Sequence, residues 1–109
     1  MRVQIFYDNL SSSTWTDDFI ENRVKKLEKY LNPSALIHVN LKWNKKVYST
    51  NVVIHHSHTD YAFGAEGENL FESFTMALEK AMRTLRDEKH KLKLKVNRRY
   101  SDLSHELSE

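Results

Sequence analysis

Apolar Val3 and Ile5 alternate with polar Arg2 and Gln4 in RVQIFY, residues 2–7, the period of a strand with one buried face. After a polar loop from Asn9 to Thr14 the period changes. Phe19, Ile20, Val24, Leu27 and Leu31 fall on one side at about 100° per residue, which predicts a first helix that Pro33 stops. Ser13 or a near neighbour is the expected N-cap, and Asp17 and Asp18 suit the positive end of the first turn. In residues 35–44, Ile37, Val39, Leu41 and Trp43 alternate with His38, Asn40, Lys42 and Asn44, predicting a half-buried second strand. VYSTNVVIHH, residues 47–56, is a further β-rich run, and SHTD turns the chain into a fourth strand over 61–65.

Past Asn69 the spacing returns to that of a helix, with Phe71, Phe74, Leu78, Ala81, Met82 and Leu85 on its core face. Lys89 then occupies the angle of that face, so the basic end of the helix is expected in water, with the helix ending at about Lys93. The order β-α-β-β-β-α predicts an α+β fold: a four-stranded sheet with two helices on one face, similar in layout to a double-stranded-RNA-binding domain. A single domain is expected over residues 1–95, followed by a polar, mobile tail over 96–109.

Charge changes this picture. Residues 80–99 hold nine Lys or Arg against two acids, a local +7, and with +2 for the whole chain the remainder carries −5. Positive charge gathered on an otherwise acidic chain is the footprint of a polyanionic partner, nucleic acid before membrane surface; the competing view is a merely solvated charged face. Lys80, Arg83, Arg86, His90 and Lys93 recur at spacings of three or four, forming a stripe beside the apolar face that Lys89 and Lys91 widen. On the first helix Arg23 and Lys26 flank the core face, while Lys29 is expected farther toward solvent. With both helices on one sheet face, these charges border the groove between them. Asp87 and Glu88 interrupt the stripe and would repel phosphate if turned toward it.

Little else points to chemistry. The 109 residues include no cysteine, which removes disulfides and thiolate metal sites, and two glycines are too few for a glycine-rich phosphate loop. The start MRVQIFYDN lacks the apolar stretch of a secretory signal, and the apolar runs are too short to span a bilayer, so a cytoplasmic protein is expected. HHSH, residues 55–58, invites a metal reading, but on a strand only His56 and His58 share a face, and His38 or Asp60 would have to complete the set. No catalytic residue, cofactor or metal is expected from this pattern.

FIENRVKKLEKYL, IHVNLKW, AEGENLFESF and LEKAMRTLRDEKHKLK together resemble the ribosome hibernation-promoting factor family, also called ribosome-associated inhibitor or protein Y, over residues 1 to about 93. The resemblance implies a stress- and stationary-phase protein of the bacterial cytoplasm. It would occupy the decoding channel of the small ribosomal subunit, helices against ribosomal RNA, and inhibit translation by steric occupation rather than catalysis. Carried over by position, Arg23, Lys26, Lys80, Arg83, Lys89, Lys91 and Lys93 match basic places of the family's helices. Asp87 holds the place of a common lysine one residue after Arg86, and Thr75 that of a frequent acid. The resemblance is to the short form, without the dimerisation domain of longer members. Rival readings are a general double-stranded-RNA binder, a metal-dependent enzyme built on His38, His55, His56 and His58, and a module that binds a protein through its acidic remainder.

Overall fold

The alternating apolar positions become the rungs of one sheet. The computed structural model describes the backbone of residues 1–107 and the side chains through Lys89. In chain order it forms β1 (Arg2–Asp8), α1 (Thr14–Val24), a 3-10 segment (Lys25–Tyr30), β2 (Leu36–Asn44), β3 (Val47–His56), β4 (Thr59–Gly67) and α2 (Leu70–Leu107). The strands lie in the order β1-β2-β3-β4, with β1 parallel to β2 and the other pairs antiparallel. The parallel pair follows from the crossover through α1, which returns the chain to the end from which β1 began.

Register stacks the apolar residues in rows across all four strands. Val3 pairs with Ile37, Ile37 with Ile54 and Ile54 with Tyr61; the next row runs Ile5, Val39, Val52, Phe63. These side chains share one face, and α1 and α2 cover it with Ile20, Val24, Leu27, Phe74, Ala77, Leu78, Ala81 and Leu85. The α+β fold with two helices on one sheet face is thus as the sequence predicts.

The first helix departs from expectation in its second half. It is α-helical to Val24 and then tightens to 3-10 winding, after which Leu31 is extended. In 3-10 winding residues three apart eclipse, so Val24, Leu27 and Tyr30 line up toward the core. Val24 and Leu27 are fully buried. Tyr30 thereby joins the residues read from sequence, and Leu31, though extended, still packs against the core as expected.

The second departure is the β3–β4 hairpin. His56 pairs directly with Thr59, so β4 begins two residues earlier than expected and the turn is Ser57–His58 alone. Both turn residues are left-handed, at φ 49 and 65, a conformation that two-residue hairpins require and that Asn and Gly adopt most readily. The third departure is the length of α2, which runs past Lys93, its expected end, to Leu107.

Both helices start on side-chain caps. Ser13 Oγ accepts from the Thr16 amide at 3.4 Å, and Asn69 Oδ1 from the Glu72 amide at 2.8 Å. Between β4 and α2 the chain passes so close to itself that a Cβ on Gly67 would lie 2.9 Å from the Ser73 nitrogen. Only glycine fits this approach. One buried polar link joins helix to sheet. The Ser73 hydroxyl donates to the Leu70 carbonyl, which leaves its oxygen to accept from the Thr50 hydroxyl at 2.8 Å.

Two tyrosines tie the helices to the sheet at its rim. Tyr7 donates to Asp17 Oδ1 at 2.7 Å, and its pKa is pushed up to about 12, first by burial and then by that carboxylate. Tyr61 donates to Glu88 on α2, and this bond, more than burial, pushes Tyr61 up to about 12.

Two outcomes follow from these features. His58→Gly should raise stability, relieving left-handed strain of about 1–2 kcal/mol against about 0.5–1 kcal/mol of added chain entropy; a thermal melt with a midpoint unchanged or lowered would contradict it. Because the raised tyrosine pKa values favour the neutral phenol in the folded state, their contribution is fully present below pH 10 and lost as pH rises through about 12. Ultraviolet titration of the five tyrosines should therefore show a late-ionising class that shrinks in Tyr61→Phe and in Tyr7→Phe.

Candidate nucleic-acid interface

The tightened winding that buries Leu27 also arranges the cations beside it. Lys26 and Lys29 are three apart within the 3-10 segment and so lie in one row, continuing the side of α1 that carries Arg23. In an α-helix Lys29 would turn toward solvent; here it stands next to Lys26. Lys25, Lys26, Glu28 and Lys29, with Met82 of α2, line a groove of about 670 Å³ between the two helices.

α2 supplies the groove's other wall. Arg86 lies four residues after Met82 and three before Lys89, which places it on the same flank of the helix. Lys89 donates to the Lys29 carbonyl at 2.7 Å, and its ammonium stands 5.7 Å from the centre of the Tyr30 ring. The Lys29 ammonium is 5.1 Å from that same ring. Two cations thus meet over one aromatic ring, one of them satisfying a carbonyl near the end of the 3-10 segment, where the helix dipole is negative.

The expected stripe on α2 is a slanting band rather than a straight row. A spacing of three falls about 60° short of a full turn, so Lys80, Arg83 and Arg86 drift around the helix. Lys80 ends on the flank away from α1, donating to the Gly64 carbonyl of β4 at 2.7 Å. Arg83 is exposed on the outer surface between them. The structure therefore sets Lys25, Lys26 and Lys29 along the groove with Glu28 among them, fastens Lys89 to the Lys29 carbonyl beside it and separates Lys80 from it; Arg23 and Arg86 adjoin it only by their spacing along the helices. The side chains of His90, Lys91 and Lys93 lie outside the described residues.

The acids that interrupt the band are largely spent within the protein. Glu88 accepts from Tyr61 on the β4 side, facing away from the groove. Asp87 stands 3.6 Å from Arg86, an exposed pair worth about 0–1 kcal/mol.

Sequence reasoning missed the aromatic end of this surface. Trp15, Phe19, Arg23 and Lys26 follow at spacings of four, four and three along one side of α1. The Trp15 ring stacks on Phe19 at 5.7 Å with planes 14° apart, Phe71 of α2 meets both edge-on, and the Arg23 guanidinium lies 5.0 Å from the Phe19 centroid. The four-residue spacing of Trp15 and Phe19 was the available signal.

The opposite face of the sheet is less suited to an anion. A shallow groove of about 530 Å³ there is lined by Phe6, Asp8, Asn40, Lys42, Asn51 and Glu66 among others, with acids outnumbering the single lysine. The histidines of the sheet and its hairpin do not converge. His56 Nε2 accepts from the Asn32 amide at 3.0 Å, and His55 Nδ1 lies 2.6 Å from Asp60 Oδ1. His58 is in the turn rather than on the strand. His38 Nε2 is buried without a partner, its ring edge-on to Phe6 and His55. Among the described residues no group of three or more His, Cys, Asp or Glu is placed to hold a metal ion.

Known proteins are similar to this chain in sequence and in fold. The ribosome hibernation promoting factor of Escherichia coli strain K12 is 25% identical over 93 residues, covering 85% of this chain and 98% of that protein. The factor of the same name from Shigella flexneri gives the same figures. A ribosomal subunit interface protein from Coxiella burnetii superposes with a TM-score of 0.71 at 15% identity, over 83% of this chain and 99% of that one. The N-terminal domain of Thermus thermophilus Protein Y does so with a TM-score of 0.73, also at 15% identity, over 80% and 98%. At that identity the two structures speak for the fold. The family described as sigma 54 modulation protein / S30EA ribosomal protein matches residues 3–93, from β1 into α2, and the chain belongs to it.

Proposed function

We propose that this protein is a ribosome hibernation factor that binds the small ribosomal subunit in the decoding channel and blocks translation by occupying it. The observation that carries the reading is the groove between the helices lined by Lys25, Lys26 and Lys29, with Lys89 of α2 bonded to the Lys29 carbonyl beside it; in this reading Arg23 and Arg86 extend its two walls. Family membership and the names of the curated relatives support it. Two rows of cations a helix apart fit phosphate backbones, which such contacts hold without reading sequence, leaving RNA shape to determine the site.

In this reading residues 1–95 form the ribosome-binding domain and 96–109 a tail beyond it. Ribosomal RNA is the main partner, with ribosomal proteins lining the channel as further contacts. The action is steric: it uses no catalytic group, cofactor or small-molecule substrate. The protein acts in the bacterial cytoplasm, and none of its described helices is long and apolar enough to cross a membrane. His90, Lys91 and Lys93 extend the contact surface along α2, with Lys80 and Arg83 on its outer band.

Co-sedimentation with small ribosomal subunits at two or more salt concentrations tests this directly. Displacing counterions from about six phosphates gives a log-log slope near −5. Reversing Lys26, Lys29 and Arg86 to Glu should abolish binding at moderate salt in a protein that still folds, because all three side chains are exposed. Reversing Lys80 and Arg83 should weaken it less. Failure of the parent protein to sediment with subunits or ribosomes at low salt would overturn the proposal, and equal affinity for an arbitrary RNA duplex would favour the general double-stranded-RNA binder instead.

A further inference from the structure

Trp15 is 63% exposed, an unusual place for the largest aromatic side chain. Its setting explains more than its packing does. One face of the indole lies on Phe19. Phe71 is 5.0 Å from Phe19 as well as 5.1 Å from Trp15, so it sits beside the stacked pair and not across the far face of the indole. That far face is held in a fixed orientation by two aromatic neighbours and opens outward. A side chain that merely closed the edge of the core would gain most by lying flat on it.

The platform is continuous with the cationic groove. Arg23 covers the Phe19 ring from one turn farther along α1, and Lys26 and Lys29 follow on the same side. At 1.5 Å per residue the successive side chains Trp15, Phe19 and Arg23 are about 6 Å apart along the helix. The surface therefore passes from a neutral stacking face to a row of cations. Asp18, exposed and three residues after Trp15, sets a negative charge beside the indole, so that end of α1 favours a base over a phosphate.

We infer that Trp15 is a stacking platform for an unpaired nucleobase of the RNA whose phosphates occupy the groove. This deepens the proposed function and rests on it. An open aromatic face followed by a guanidinium and lysines suits single-stranded nucleotides, the ring taking the base and the cations the backbone.

The test uses the full chain carrying Trp43→Phe, so that Trp15 is its single tryptophan, titrated with protein-free small-subunit ribosomal RNA and with whole small subunits. Trp15 fluorescence should be quenched on binding to both. In a second series, Trp15→Ala and Trp15→Leu in the natural background should each weaken binding roughly 5- to 100-fold, while Trp15→Tyr, which keeps a ring, stays within about threefold. The salt slope should be unchanged in all three, since stacking displaces no counterions, whereas Lys26→Glu should flatten it. Thermal melts of each variant separate loss of binding from loss of fold. Binding retained in Trp15→Leu, or no quenching with protein-free RNA, would overturn the platform while leaving the groove standing. Absence of binding by the parent protein would overturn both.

Discussion

The candidate interface depends on a change of helical pitch at Lys25. A 3-10 segment is poorer in hydrogen-bond geometry than the α-helix it continues, and short runs are the rule. What offsets that cost here is the burial of Leu27, worth about 1.5–3 kcal/mol, in line with Val24 and with Tyr30 at its end. The same rotation that keeps three apolar residues against the sheet moves Lys29 into line with Arg23 and Lys26. Core packing and charge placement are one geometric event.

Around that event the charges are held by named contacts. Lys89 closes on the carbonyl of Lys29, so the far wall of the groove is fastened to the segment that forms the near wall. Glu88, one residue away, is drawn to Tyr61 on the other flank. Adjacent residues on α2 thus face opposite ways, and the acid is kept from the groove by a bond that also anchors the helix. A band of spacing three migrates around an α-helix, so Arg86 stands on a different flank from Lys80.

Most of the fold was legible in the sequence because strand and helix periods are strong in this chain. Rows such as Val3–Ile37–Ile54–Tyr61 need little more than strict alternation, and Phe74, Ala81 and Leu85 mark their helix face plainly. The 3-10 segment was not legible, since Leu27 satisfies both windings and only the inward turn of Tyr30, beside a Leu31 that packs in either case, separates them. The two-residue turn was hidden because Ser57 and His58 lack the Asn or Gly that announces left-handed backbone. For the candidate interface, the basic residues were visible as a set, but which flank each one serves was not. The position of Lys80 depends on the carbonyl of a strand sixteen residues earlier, and the exposure of Trp15 depends on how Phe71 from the other helix fills the space beside it.

The bond from Lys80 to the Gly64 carbonyl bears on how the molecule coexists with copies of itself. β4 is an outer strand of the sheet, and an outer strand offers its free backbone groups to any chain that can add to it. A lysine laid over the edge occupies one of those acceptors and sets a charge where an incoming strand would lie. The residue thereby disfavours edge-to-edge pairing between copies, whatever else it contacts.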